Sequence, residues 1–357
     1  MDYNSYRRKT KEIKVGAISI GGAAPISVQS MTNTPSCDFE ATYRQVSSLA
    51  AAGCDIVRIS VPDLESAGVF EYIKSRGVTL PLVADIHFSH KIAVAAIEAG
   101  ADKVRINPGN IGGGDKVREV VSACRERDIP IRIGVNAGSL ESDVLQKYGS
   151  PIPEALVESA IRHITILEDL NYDNIVVSIK ASGAQSMIRA NRLISEKVNY
   201  PLHLGLTEAG ARERALVKSS IGIGTLLSLG IGDTVRVSLT DAPEREVECA
   251  KNILSSLDLI NDRMDIISCP TCARTKIDLV AILSDFERRA EEEGITSRPI
   301  KVAIMGCAVN GPGEAREADI GVAGGDGEAL LFKKGKIVSK IPEGSIVDEL
   351  IREIKKM

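Results

Sequence analysis

From Ile26 onward, short β-branched runs alternate with longer segments whose apolar residues recur at helical spacing. That alternation is the pattern of parallel strands joined by crossover helices. The strand candidates are Ile26 to Gln29, Ile56 to Val61, Leu80 to Ile86, Lys103 to Ile106, Ile129 to Val135, Asn174 to Ile179, Pro201 to Leu206 and Thr234 to Leu239. Between them lie Phe39 to Ala52, Pro153 to Leu170, Ala184 to Glu196, Ala211 to Leu227 and Glu244 to Leu257, each long enough for several helical turns. Eight βα units close a TIM (β/α)8 barrel, which takes about 250 residues. Ahead of the first strand, KEIKVGAISIGG alternates apolar and polar residues around a turn and reads as a hairpin capping the barrel floor.

After Leu257 the rhythm changes to a Cys-rich turn, a charged helix from Ile277 to Glu293, the strand KVAIMG, a Gly-rich loop and a hairpin in EALLFKKGKIVSKI. The expected fold is therefore α/β: a barrel domain over residues 1–260 that holds substrate, then a small α+β domain over residues 261–357. No repeat beyond the barrel unit and no low-complexity tract interrupts it.

In such barrels the active site lies at the C-terminal ends of the strands. Here those ends carry Arg58 and Ser60, Asp85 and His87, Arg105 and Asn107, Arg132 and Asn136, Lys180 and Ser182, His203, Thr207 and Glu208, and Arg236 with Ser238. Every second residue of a strand faces the same side, so pairs such as Arg105 with Asn107 and Lys180 with Ser182 share the interior. Buried cations cost several kcal/mol each unless an anion neutralises them, and the guanidinium fork suits phosphate oxygens. The bland alternative pairs them with Asp85 and Glu208 in a structural layer, but five cations against two acids leaves an excess. A multiply charged phosphorylated substrate is the simplest partner.

Composition narrows the partners. A net charge of −4 with 26% charged residues gives no broad positive field, which argues against nucleic acid and anionic lipid. Aromatic residues make up 3% and Trp is absent, so platforms for stacking bases are scarce. The opening MDYNSYRRKTKEIKV has no apolar h-region, and no stretch approaches the ~20 apolar residues of a membrane helix. A cytoplasmic protein is expected, and with 7 cysteines no disulfide framework.

The cysteines supply the second chemical signal. In SCPTCART, Cys269 and Cys272 bracket a Pro-containing turn that lets two thiolates reach one metal, and Cys307 follows the strand KVAIMG. Glu314 stands seven residues after Cys307 in AVNGPGEA. Three such thiols fit a tetrahedral zinc site, a redox dithiol, or a cluster with a non-cysteine fourth ligand. The glycines at 311 and 313, which let backbone amides approach sulfides, favour an iron-sulfur cluster. Cys54, Cys124 and Cys249 suit apolar positions of the barrel, and Cys37 lies in the loop after the first strand.

Taken together, PISVQSMTNT, VRISVP, VADIHF, KVRINPGNIG, IRIGVNAGSL, HLGLTEAG, SCPTCART, MGCAVNGPGEA and ADIGVAGG resemble the bacterial two-domain 4-hydroxy-3-methylbut-2-enyl diphosphate synthase family of the non-mevalonate isoprenoid pathway. The resemblance implies reductive ring opening of 2-C-methyl-D-erythritol 2,4-cyclodiphosphate with two electrons from reduced ferredoxin or flavodoxin. It implies a 4Fe-4S cluster on Cys269, Cys272, Cys307 and Glu314, in a domain like those of nitrite and sulfite reductases. It also implies substrate binding by Arg58, Asp85, Arg105, Asn107, Arg132, Asn136, Lys180, Ser182, Glu208, Arg236 and Ser238; a carboxylate among phosphates suits Glu208 to act on a proton, and Glu314 is expected to exchange at the cluster. Family members are homodimers in which one subunit's cluster domain covers the other's barrel mouth. A pterin- or corrinoid-handling barrel transferase with a structural zinc domain is the rival reading, and iron and sulfide content separates the two.

Overall fold

The alternation in KEIKVGAISI folds as a hairpin of β1 (Ile13–Val15) and β2 (Ile18–Ile20), paired through Val15 and Ile18. Gly16, at φ +55°, supplies the left-handed backbone that this tight turn needs. The computed structural model describes residues 3–308 and 316–357. Two compact units make up the chain, Met1–Leu259 and Ile260–Met357.

In the first unit the chain runs β3 (Ser27–Met31), α1 (Phe39–Ala51), β4 (Ile56–Ser60), α2 (Val69–Ser75), β5 (Leu82–Asp85), α3 (His90–Glu98) and β6 (Lys103–Ile106). It continues through α4 (Pro108–Ile111), α5 (Gly114–Glu126), β7 (Ile131–Asn136), α6 (Ser142–Tyr148), α7 (Pro153–Glu168), β8 (Ile175–Lys180) and α8 (Ala184–Ser195). The unit ends with β9 (His203–Leu204), α9 (Arg212–Ser228), β10 (Thr234–Val235) and α10 (Pro243–Ser255). All eight barrel strands pair in parallel in the order β8-β7-β6-β5-β4-β3-β10-β9. A bridge between Val177 and Leu202 joins β8 to the chain entering β9 and closes the ring.

The seventh and eighth strands are shorter than the sequence predicts, with ladders of two residues each. Beyond them the chains stay in contact, since the Arg236 N–H donates to Leu204 O at 2.9 Å. A Cβ on Gly205 would overlap Arg236 O, so the two backbones pass too closely there for any other residue.

The hairpin caps the floor as its pattern predicts. Ile13, Val15 and Ile20 form one buried cluster with Ile56, Val83 and Val176, which lie toward the starts of β4, β5 and β8. The strand ends opposite this apolar plug are left to polar side chains.

The second unit is a five-stranded sheet ordered β11 (Asp265–Ser268), β12 (Lys301–Met305), β13 (Ile320–Gly324), β14 (Glu328–Lys333) and β15 (Lys336–Pro342). Its first three strands run parallel and its last two form the predicted hairpin. Strand alternation splits its core: Val302, Ile304, Ile320 and Val322 pack with Phe286 of α11 (Leu279–Glu292) and with Leu350 and Ile354 of α12 (Ile346–Lys355). Ala303, Met305, Ala323 and Phe332 form a separate cluster.

Candidate active site

Arg58, Arg105, Lys180 and Arg236 come from alternate strands, β4, β6 and β8 and the chain just past β10, the arrangement in which barrels build one interior layer. Space for that layer comes from glycines on the strands between. A Cβ at Gly134 of β7 would overlap Arg105 Nε, and one at Gly205 would stand 3.2 Å from Lys180 Nζ. The glycines of IRIGVN and HLGL thus make room for cationic side chains to fold inward.

Asp85 is the hub on one side of this layer. Arg105 Nη1 donates to its Oδ1 at 3.3 Å, Arg58 Nε lies 3.8 Å from Oδ2 and His87 Nε2 lies 3.5 Å from Oδ2. Burial pushes the carboxyl up, but Arg58, His87 and Arg105 outweigh it and hold Asp85 well below the usual carboxylate range. Arg105 Nη2 also donates to Gly134 O at 3.2 Å, and with the Asn136 amide turned to satisfy its neighbours its oxygen accepts from the same nitrogen.

On the opposite side the partner is Glu246, which the sequence reading passed over. Arg236 Nε and Nη2 donate to its two oxygens at 3.1 Å each, Ser30 Oγ donates at 2.9 Å and the Leu239 N–H at 3.2 Å. The acids of the layer are therefore Asp85 and Glu246; Glu208 makes no ion pair among the described residues. Helical period does reveal Glu246, because it falls in the buried stripe of α10 with Pro243, Val247, Ala250 and Ile253. Between the two arginines sits Met31: Arg58 Nε and Nη2 lie 3.0 and 2.8 Å from its sulfur, and Arg236 Nη1 lies 3.6 Å away. Burial lowers Arg58 to about 10, with Asp85 opposing and Arg236 and Arg105 adding to the fall.

The excess of positive charge survives this accounting. No carboxylate pairs with Lys180 or Arg132 among the described residues, although Lys180 is 5% exposed and Arg132 1%. Among the described residues Arg132 Nε and Nη1 have no hydrogen-bond partner. Burial first, then the surrounding arginines, drives Lys180 well below its ordinary pKa. Deeper still lies Lys103, two residues before Arg105 on the same face of β6, fully buried and with Nζ unpartnered among the described residues. The alternation in KVRI would have found it. His203, equally buried, is pushed well down by burial and by Arg132, Lys180, Lys103 and Arg58, and its Nδ1 meets Thr234 Oγ1 at 2.8 Å.

Above the layer opens a cleft of about 390 Å³, of the size that takes small ligands. His87, Phe88, Arg105, Asn107, Asn110, Asn136, Ser182, Thr207 and Glu208 line it. The barrel thus brings Arg105, Asn107, Asn136, Ser182 and Glu208 to one opening, with Asp85, Arg132 and Lys180 buried and Arg58 and Arg236 half-buried in the polar layers of the same barrel. Ser238 turns back to the chain instead, donating to Leu206 O at 3.0 Å. Asn107 caps α4, its Oδ1 accepting from the Gly109 N–H at 3.2 Å. Glu208 sits at φ +54°, a left-handed backbone that costs a non-glycine residue roughly 1–2 kcal/mol and recurs at working sites.

In the second unit, Cys269 follows β11 and Cys307 follows β12, so two thiols stand at the ends of adjacent parallel strands. The Gly306 N–H donates to Cys269 Sγ at 3.2 Å, the kind of bond that tunes metal thiolates. Exposed Cys272 closes a turn in which its N–H donates to Thr275 Oγ1 at 3.0 Å and its carbonyl accepts from the Thr275 N–H at 2.9 Å. Hydrogen bonds from the backbone and side chain of Arg274 lower its thiol. Glu314 lies outside the described residues, and among those described no three ligating side chains form a metal site. Cys54 and Cys124 are buried, each pushed by burial up to about 12, while Cys249 is half-buried and Cys37 exposed.

A family model described as the GcpE TIM-barrel domain matches residues 10–251, and one described as the GcpE protein C-terminal domain matches residues 265–356. The chain belongs to the GcpE family. Within the family, the 4-hydroxy-3-methylbut-2-en-1-yl diphosphate synthase (flavodoxin) of Clostridium acetobutylicum is 55% identical over 351 residues, covering 98% of this chain and 99% of that one. The protein of the same name from Geobacter sulfurreducens is 52% identical over 351 residues, covering 98% of each. Among solved structures, a type I 3-dehydroquinate dehydratase from Clostridium difficile covers 70% of this GcpE-family chain and 98% of its own, at 12% identity and a TM-score of 0.52. That likeness bears on the barrel fold alone.

Proposed function

We propose that this GcpE-family chain catalyses the reductive ring opening of 2-C-methyl-D-erythritol 2,4-cyclodiphosphate to 4-hydroxy-3-methylbut-2-enyl diphosphate. The observation that carries this reading is a barrel mouth whose buried cations outnumber their acids, with Arg132 and Lys180 left for an anion. In the reaction two electrons and two protons enter. One C–O bond to the diphosphate and one C–O bond to a hydroxyl break, a C=C bond forms, and one proton leaves with the hydroxyl as water while the other goes to the freed phosphate oxygen.

Ring opening places new negative charge on that phosphate oxygen. Lys180, Arg132 and Arg105, held by the barrel before substrate arrives, stabilise it without reorganising. Asp85 and Gly134 O keep the Arg105 fork aimed. Glu208, on the rim of the cleft, serves the proton that leaves with the hydroxyl.

The donor set of the second unit fits an iron-sulfur group in kind: soft thiols at adjacent strand ends, one already accepting an amide hydrogen bond. Cys269, Cys272 and Cys307, with Glu314 as the oxygen ligand, would hold a 4Fe-4S cluster, which supplies the electrons one at a time. The proposed partners are a second copy of the chain and reduced flavodoxin, the donor in the relatives' names, with ferredoxin as the alternative. The proposed setting is the cytoplasm; among the described residues no helix is long and apolar enough to cross a membrane.

Anaerobic purification with iron, sulfide and zinc analysis, followed by turnover of the cyclodiphosphate with a chemical reductant, tests the reading. About four irons per chain and turnover that falls in Glu314→Ala are expected. One zinc without iron would overturn it and favour a barrel transferase with a structural metal.

A further inference from the structure

Outside the cation layer, a buried polar cluster joins α7 to two of the segments that line the cleft. His163 of α7 is 1% exposed, and its Nε2 lies 2.8 Å from Glu141 Oε1. The ring lies against the carboxylate, and among the described residues neither ring nitrogen makes a hydrogen bond of good geometry. Ser159, one turn earlier on α7 and fully buried, donates to Glu141 Oε2 at 2.7 Å. Both oxygens of Glu141 are thus engaged by a single helix.

Glu141 precedes α6 and lies five residues beyond Asn136, in the loop whose Asn136, Ala137 and Gly138 line the cleft. The same imidazole meets the loop after β6. A Cβ at Gly109 would stand 2.8 Å from His163 Nε2, so the glycine lets the backbone rest on the ring. Gly109 N–H in turn donates to Asn107 Oδ1, and Asn107 and Asn110 line the cleft. One buried side chain therefore touches both segments that present asparagines to the substrate, and an asparagine amide contributes only when its oxygen and nitrogen are correctly aimed.

We propose that His163, with Ser159 and Glu141, is a positioning residue that sets the spacing of the Asn107–Asn110 and Asn136–Gly138 loops and thereby the affinity for the cyclodiphosphate. This rests on the proposed function for the ligand, but the coupling of the two loops does not. The imidazole acts as a spacer whose Nε2 edge faces both the Gly109 backbone and the Glu141 carboxylate, while Ser159 fixes that carboxylate.

The test compares wild type, His163→Phe, which keeps the ring volume, and Ser159→Ala, a small change less prone to misfold, as intact iron-loaded chains. Hydrogen exchange of the loops and steady-state kinetics are read side by side. In His163→Phe, exchange is expected to quicken in both loops, with KM for the cyclodiphosphate rising about tenfold and kcat changing less than about twofold. Ser159→Ala is expected to raise KM about threefold and to quicken the Glu141 loop alone. A lower Tm with unchanged KM and unchanged loop exchange in both variants would overturn the proposal, leaving His163 a core residue. Absence of turnover in wild type would overturn the function instead, and loop exchange would still decide whether His163 couples the loops.

Discussion

The two sides of the barrel mouth handle positive charge differently. On the β10 side Arg236 is gripped by both oxygens of Glu246, itself fixed by Ser30 and the Leu239 amide. On the β7 and β8 side Arg132 and Lys180 are more deeply buried than Arg236, yet no carboxylate answers them among the described residues. A paired buried charge holds a wall in place, whereas an unpaired one costs stability until an anion arrives. The account assigns stability to the first side and ligand affinity to the second, and substitutions can separate the two.

The largest effect is expected from Arg236→Met. It leaves Glu246 charged and buried without its cation, which typically costs about 3–5 kcal/mol, and urea unfolding reads that loss directly. A loss no greater than that of an exposed arginine would erase the distinction between the two sides.

A smaller effect lies in proton linkage. Lys180 is lowered by burial and by Arg58, Arg236, Arg132 and Arg105, so the folded chain binds its proton less readily than the unfolded chain does. For a base with a lowered folded pKa, stability is penalised below the unfolded pKa of about 10.4 and recovers as pH rises toward it. A diphosphate beside Lys180 raises its pKa again, so at a pH where the free protein leaves Lys180 neutral, binding is expected to take up a proton. Calorimetry in two buffers of different ionisation enthalpy measures that uptake, and equal heats in both buffers would count against it.

Much of this was legible in the sequence. β-Branched runs with polar ends placed the strands, and the alternation in KVRI and VSIK put Arg105 and Lys180 on the interior face because strand period is fixed by the backbone. Other features were not. Glu246 meets Arg236 only because the barrel closes β10 against β3 and lays α10 over that seam. Met31 becomes a contact for two arginines for the same reason. Gly134 and Gly205 look like weak strand residues until Arg105 and Lys180 are seen to need their missing side chains. His163 reads as one more buried helix residue, since its partners at 109 and 141 come from two different loops. In the second unit the cysteine spacing was readable, but its meeting point depends on the pairing of β11 with β12.

The most direct test of the central claim is Lys180→Met, followed by thermal unfolding and by turnover of the cyclodiphosphate on the same iron-loaded preparation. Removing an unpaired buried cation is expected to leave Tm unchanged or raise it, while kcat/KM falls about a hundredfold or more, as when a donor aimed at developing charge is lost. A variant that turns over like wild type, or one that simply unfolds, would contradict the assignment of this side of the barrel to the diphosphate.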